Sequence, residues 1–495
     1  MGGEAPVYYP GFRTYRYASA GDTISTVTVH VYQLKIRSSR KLSVPVDADG
    51  YIPRIRFTRR NNQLAVMTLN RNQNEFKLFF VNPKSGVAKL ILTDQSDTYV
   101  CPDFDEIQFS TNYFTYLSEK DGYRHLYLYN ANGGLRKKLT AGKWDVTKFL
   151  GCDTIKGLFY YQAAVESPMK RSVWQVDLNG KTRRISTVDG VCDGVFNRNY
   201  TLFVQTASTI KTPKITTLCN VSGQALRTIS DNKALKTRLS EISYADKTFF
   251  TVPATDGQIL NGWMLKPANF DASKKYPVIQ LQYSGPDAQE VLDRFNFDWE
   301  YYLAEKGFVV VSVDGRGTGG RGADFRRLTY GKLGQLESQD QIAVANYLKK
   351  QAYIDGSRMG IWGWSFGGFI TLMSMTNPDS PFKAGVAVAP VTDYRYYDAM
   401  YTERYMKTPA ENKEGYDAGS PLLRASQLKG RLLLVHGLAD DNVRANQSLD
   451  FDEALIRAGI RFDSQFYPIS NHSILGETYR RHLYNTKVEF FLKNL

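Results

Sequence analysis

Residues 358–375 read RMGIWGWSFGGFITLMSM, and this stretch decides the fold of the second half of the chain. RMGIW is a short apolar run of the kind a strand buried on both faces carries, and FITLMSM is helix-like. Between them stands Gly363-Trp364-Ser365-Phe366-Gly367. Strand, G-x-S-x-G and helix in that order form a nucleophile elbow, a turn so tight that small residues must flank the serine and its hydroxyl projects above the sheet edge. The pentapeptide alone is a weak signal, and its placement raises it.

Working outward, YPVIQLQY (276–283), GFVVVSVD (307–314), AGVAVAP (384–390) and RLLLVHG (431–437) repeat the apolar pattern. Helix-like segments, 337–350 and 446–458 among them, alternate with these runs. That order predicts a mostly parallel, doubly wound sheet with helices on both faces, an α/β-hydrolase domain over residues 245–495.

A serine hydroxyl is a poor nucleophile at its own pKa, so it needs a histidine base, and the base needs a carboxylate to fix its tautomer. This fold places them in the order Ser, Asp, His. Of five histidines, His436, His472 and His482 follow Ser365. His436 lies inside an apolar run and His482 in a polar, helix-like terminal segment. His472, in the loop SNHSIL after the strand-like QFYPI, is therefore the expected base. RLLLVHGLADDN offers Asp440 and Asp441 directly after a strand; Asp440 is the expected acid and Asp441 a loop or capping residue.

Residues 1–244 carry a different periodicity. Strand pairs separated by turns rich in Asn, Asp, Gly or Pro begin at Leu64, Phe114, Leu158 and Leu202. An interval of roughly 45 residues fits the blade of a β-propeller, with a generic β-sandwich as the alternative. Four such units and an opening segment over residues 8–46 amount to an incomplete propeller of about four to five blades. The chain is thus expected to begin partway through its own propeller.

The net charge of +14 is concentrated in this first half. Its densest basic runs, KIRSSRK (35–41) and RIRFTRR (54–60), sit beside or within strand-like alternation, and no zinc-finger spacing or RNA-binding signature accompanies them. They read as a solvated face, and no nucleic acid is expected as a partner. Cys101, Cys152, Cys192 and Cys219 match no C-x-x-C pattern and read as buried thiols. No His, Cys and carboxylate cluster has metal-ligand spacing, so no metal and no other cofactor is expected. The glycine-rich GRGTGGRG (315–322) lacks the Gly-Lys-Ser/Thr ending of a phosphate loop and reads as a flexible loop on the active-site side. The opening MGGEAPVYYP has neither a basic nor an apolar leader region, and no apolar run approaches the ~18 residues of a membrane span.

Together these residues resemble the prolyl-oligopeptidase-like serine peptidases, in particular the dipeptidyl peptidase IV branch. The resemblance is dense in DGRGTGG (314–320), IWGWSFGGF (361–369), AVAPVTDYRYYDAMYTERYM (387–406) and HGLADDNV (436–443), with a weaker propeller match in EKDGYRHLY (119–127). It implies Ser365 as nucleophile, His472 as general base and acid, and Asp440 as its orienting carboxylate. It also implies an oxyanion hole made of the Tyr283 hydroxyl and the backbone N–H of Phe366, where a tyrosine is common. Val391, Tyr394, Tyr397, Tyr401 and Val443 match an apolar S1 pocket for proline. Tyr394 stands where a tryptophan is often found. Asn442 matches a residue that hydrogen-bonds the P2 carbonyl.

The implied activity is removal of N-terminal X-Pro or X-Ala dipeptides through an acyl-enzyme, so the implied partners are peptides with proline or alanine second. A homodimer through the hydrolase domain and a periplasmic or extracellular location also follow from the resemblance alone. The departure lies upstream: the family reads the free amino terminus with a pair of glutamates, and this chain has no two consecutive glutamates. The chain resembles the C-terminal two-thirds of a longer enzyme. A prolyl tripeptidyl or acylaminoacyl peptidase of the same fold, a carboxylesterase and a truncated inactive scaffold are the competing readings.

Overall fold

The computed structural model describes residues 15–101 and 103–495. The opening segment expected over residues 8–46 falls outside the described residues up to position 14; the rest of it forms a hairpin, His30–Gln33 with Ser38–Lys41. Antiparallel sheets then follow one another along the chain. A four-stranded sheet runs from Tyr51–Phe57 to Ala88–Gln95, a three-stranded one from Tyr113–Ser118 to Leu135–Lys138, and two four-stranded ones from Val146–Asp153 to Thr182–Arg184 and from Val191–Phe196 to Ala225–Ser230. In the three-stranded sheet an outer strand shrinks to a single bridge between Phe109 and Phe114. The repeat therefore begins there on the first full strand and elsewhere on the second.

The inner strands are apolar on both faces because each sheet is covered on both. In YFTYLS, Phe114 and Tyr116 pack on Ala65, Phe76 and Phe80 of the preceding sheet, while Tyr113 and Leu117 pack with Phe159 and Tyr161 of the following one. Tyr160, on the other face of that next strand, joins Phe203 and Cys219. Successive sheets sharing cores in this way are the stacked blades of a propeller, which protects most sheet edges. The basic run 54–60 bonds locally: Arg54 pairs with Asp105, and Arg56 donates to the carbonyls of Asp105 and Ile107. All four cysteines are free thiols, Cys192 and Cys219 buried, Cys101 and Cys152 half-buried.

The second half holds one eight-stranded sheet: β1 (Thr248–Pro253), β2 (Ile259–Leu265), β3 (Tyr276–Leu281), β4 (Val309–Asp314), β5 (Ile354–Trp364), β6 (Ala384–Val388), β7 (Arg431–Gly437) and β8 (Asp463–Tyr467). Their spatial order is β1-β2-β4-β3-β5-β6-β7-β8, with β1 and β2 antiparallel and every pairing from β4 onward parallel. The helices that position the site are α1 (Gln335–Leu348), α2 (Phe366–Met375), α3 (Ala399–Met406), α4 (Asn446–Arg457) and α5 (Glu477–Asn494). On β4, Val309, Val311 and Val313 face one core and Val310 the other, which is why VVV reads as an apolar run without alternation.

The two halves meet through buried polar contacts. Glu119 of the propeller binds Arg326, whose Nε also donates to the Tyr99 hydroxyl at 3.2 Å. Asp145 accepts from the Gly322 N–H at 2.9 Å, and Arg71 meets the buried Glu403 of α3 at 2.7 Å. The glycine-rich stretch 315–322 is thereby corrected from its sequence reading. It is packed rather than open: Arg316 bonds Asp340, the Gly319 N–H donates to Ala288, and Gly322 donates to the propeller. Its glycines serve close backbone approach, since a Cβ on Gly319 would lie 2.6 Å from the Asp287 carbonyl oxygen.

Candidate active site

Ser365 sits between the end of β5 and the first residue of α2, with φ 58° and ψ −117°. A non-glycine residue held there carries strain of the order of 1–3 kcal/mol, which the surroundings must hold in place. They do so closely. The Ser365 N–H donates to the Val388 carbonyl at 2.8 Å, and the Phe369 N–H donates to the Ser365 carbonyl at 3.0 Å. A Cβ on Gly363 would fall 2.3 Å from the Gly367 carbonyl, and one on Gly367 2.5 Å from the Gln282 carbonyl oxygen. Only glycine lets the two arms of the turn close on β3 and each other.

Asp440 lies in the turn after β7, its side chain fully buried. Its Oδ2 is 2.6 Å from His472 Nδ1, and its Oδ1 accepts from the N–H groups of Asn442 (2.9 Å) and Val443 (3.0 Å). Burial pushes the carboxyl up, but the hydrogen bonds from His436 and His472 outweigh it and hold it below the ordinary carboxylate value. An ionised carboxylate only accepts, so His472 Nδ1 carries the hydrogen and its Nε2 is left as the free base. The Trp364 indole N–H donates to the His472 carbonyl at 3.1 Å, tying the histidine loop to the residue before the serine. Among the described residues no hydrogen bond joins Ser365 to His472. Burial pushes the Tyr283 phenol above its ordinary value. A nucleophile–base bond is often long in an empty site and tightens with substrate.

Phe366 opens α2, where the first N–H groups of a helix have no intrahelical acceptor, and its ring packs 6.1 Å from that of Tyr283. The Phe366 N–H and the Tyr283 ring thus stand near the serine. On the same side Val391, Tyr394 and Val443 are buried, and Tyr397 and Tyr401 half-buried, in one cluster with Phe366 and Phe369. The rings meet edge to face: Phe369–Tyr394 at 5.0 Å, Tyr394–Tyr397 at 6.0 Å, Tyr397–Tyr401 at 5.5 Å. The Asp398 carboxylate caps α3 by accepting from the Tyr401 N–H, which orients this wall. Asn442 Oδ1 accepts from the Tyr397 hydroxyl at 2.8 Å, so its NH₂ is the end left to donate. The candidate triad and pocket residues named from the sequence lie around this elbow, the turn after β7 and the aromatic cluster.

Several neighbours were not singled out. Tyr405 extends the aromatic chain from Tyr401 (5.0 Å) to Tyr99 of the propeller (5.1 Å). Glu403, the one acidic residue of α3, is already bound by Arg71 and the Gly21 N–H, and Glu119 is bound by arginines. Both carboxylates are thus held in ion pairs with arginines. No local pattern marks the two carboxylate contacts, since Arg71 and Glu403 are 332 residues apart and Glu119 and Arg326 207. Among the described residues no group of His, Cys, Asp and Glu is arranged to hold a metal ion.

Residues 295–495 match the prolyl oligopeptidase family, and residues 2–214 match the dipeptidyl peptidase IV N-terminal region. The chain is similar to dipeptidyl-aminopeptidase B of Aspergillus niger (33% identical, over 94% of this chain and 54% of the relative). It is also similar to a probable dipeptidyl peptidase 4 of Emericella nidulans (32%, over 94% and 64%). It therefore spans between about half and two-thirds of the length of these curated relatives. The crystal structure of Porphyromonas gingivalis dipeptidyl peptidase 4 superposes with a TM-score of 0.96 at 48% identity, covering 99% of this chain and 70% of that one. A putative dipeptidyl aminopeptidase IV from Bacteroides ovatus gives 0.90 at 31%, covering 97% and 71%. An elbow serine beside an Asp–His pair, an aromatic cluster and these matches lead to one assignment: the chain belongs to the prolyl oligopeptidase family, in its dipeptidyl peptidase IV branch.

Proposed function

We propose that the chain is a serine-type dipeptidyl peptidase that releases X-Pro or X-Ala dipeptides from the N-terminus of peptides, with Ser365, His472 and Asp440 as its triad. The observation that carries the reading is the 2.6 Å bond between Asp440 and His472 beside the strained Ser365 elbow, with an aromatic cluster packed around Phe366. The Ser365 Oγ attacks the carbonyl of the second residue as His472 Nε2 takes its proton. The oxyanion that forms is held by the Tyr283 hydroxyl and the Phe366 N–H. His472 then returns the proton to the leaving amine as the C–N bond breaks, leaving an acyl-enzyme that water, activated by the same nitrogen, hydrolyses.

A flat pyrrolidine ring suits walls made of Tyr394, Tyr397, Tyr401, Val391 and Val443. Asn442 donates to the P2 carbonyl. We take the chain as two units, the propeller over 1–244 and the hydrolase over 245–495. Family membership also supports a homodimer through the hydrolase unit, which light scattering on the purified chain reads.

The test is to incubate the chain with a peptide beginning X-Pro and identify products by mass spectrometry. Release of the N-terminal dipeptide is expected. Release of a tripeptide, an acylated residue or internal fragments would overturn the assignment.

A further inference from the structure

His436 reads in the sequence as one more member of the apolar run RLLLVHG, yet in the structure it is fully enclosed with both ring nitrogens engaged. Nδ1 lies 2.7 Å from Ser448 Oγ, in the first turn of α4. Nε2 lies 2.8 Å from the Val443 carbonyl oxygen and 3.2 Å from Asp440 Oδ2. A carbonyl oxygen only accepts, so Nε2 carries its hydrogen and shares it between that carbonyl and the carboxylate.

The consequence lies in what the turn carries. Between His436 and Val443 stand the acid (Asp440), the amide set to meet the P2 carbonyl (Asn442) and a wall of the S1 pocket (Val443). Asp440 receives four donors, two backbone N–H groups on Oδ1 and two imidazoles on Oδ2. Neither oxygen can rotate away without breaking two bonds. A residue present only for packing would be a leucine or phenylalanine, because an enclosed imidazole must have its polar atoms satisfied.

We propose that His436 is a positioning residue for the peptidase reaction: its Nε2–H holds Asp440 Oδ2 and the Val443 carbonyl in one register, so that the acid, the P2 contact and the S1 wall move as a single piece. The proposal rests on the triad reading given above. It requires a donor at that nitrogen and not merely a ring of that size.

Three variants of the full chain test it: His436→Phe, which keeps the ring and removes the donor, His436→Gln, which returns an N–H near Nε2, and Ser448→Ala, which frees only Nδ1. On a prolyl dipeptide p-nitroanilide, His436→Phe is expected to lose about 10²-fold in kcat/KM, chiefly in kcat, as a displaced catalytic group does. His436→Gln is expected to recover most of that loss, and Ser448→Ala to stay near the parent.

A second readout needs no turnover: the downfield proton resonance of the His472 Nδ1–H···Asp440 bond. It should weaken or vanish in His436→Phe and return in His436→Gln. A His436→Phe protein with the parent's thermal midpoint, rate and resonance would overturn the proposal, as would a His436→Gln protein as defective as His436→Phe. Should the parent hydrolyse nothing, the triad reading fails, and the resonance alone still decides the role of His436.

Discussion

Glu119 in the propeller and Arg326 in the hydrolase half meet as a buried ion pair, 7% and 2% exposed, and the same carboxylate is approached by Arg124 and Arg327, each at 3.3 Å. Burial pushes the Glu119 carboxyl up, but the surrounding arginines more than reverse it and leave it below its ordinary value of 4.5. A depressed folded value means stability that is fully present above 4.5 and lost as the pH falls through the folded pKa. Glu119→Ala leaves three guanidinium groups short of a partner and should cost about 3–5 kcal/mol at pH 7. Thermal denaturation of parent and variant at pH 7 and in acid checks this: the gap between them should shrink as the pH drops below 4.5.

The elbow tolerates no side chain at Gly363. A methyl there would overlap the Gly367 carbonyl at 2.3 Å, so Gly363→Ala must open the turn that aims Ser365. Labelling by a fluorophosphonate probe should fall by about 10²-fold or more, because a displacement near 1 Å already costs that much. Ser365→Ala should remove labelling altogether.

Tyr283 tests the oxyanion site separately from the nucleophile. Tyr283→Phe keeps the ring packed against Phe366 and deletes only the hydroxyl. Loss of one such donor costs about 10²–10³-fold in kcat, and KM should change little because the charge exists only in the transition state. Steady-state kinetics on a prolyl dipeptide substrate read both constants.

Tyr394 is buried in the aromatic cluster, edge-on to Phe369 and Tyr397, and is proposed to wall the S1 site. Tyr394→Ala removes the wall that a pyrrolidine ring fills and an alanine methyl barely reaches. The ratio of kcat/KM for proline over alanine at P1 should drop by roughly 10-fold or more, in the 1–3 kcal/mol range of such pocket contacts. Competition between Gly-Pro and Gly-Ala p-nitroanilides measures that ratio directly.

How far the sequence reaches follows from the range of each interaction. Ser365, Asp440 and His472 were legible because each stands just past a strand, and RMGIW, RLLLV and QFYPI announce those strands by local composition. The aromatic wall was legible through resemblance, since a run of tyrosines on its own reads equally well as core. TFFTVP and ILNGWML, which form the antiparallel edge, were not picked out, being mixed in polarity and outside the alternating strand-and-helix pattern. Nor was the junction: Glu119 and Arg326 are 207 residues apart, and nothing local to either says which charge it meets. The same holds for the glycine-rich loop, whose composition suits an open phosphate-type turn and a tightly packed one alike. His436 was visible but misvalued, because an apolar setting predicts burial and is silent on which atoms the imidazole meets there.

The most direct test of the account is hydrolysis of Gly-Pro-p-nitroanilide by the purified 495-residue chain, beside its N-terminally blocked counterpart and the Ser365→Ala variant. Cleavage of the free-amine substrate, little or none of the blocked one, and none by Ser365→Ala is the expected result. Equal cleavage of both substrates would contradict the dipeptidyl assignment, and activity surviving in Ser365→Ala would contradict the site itself.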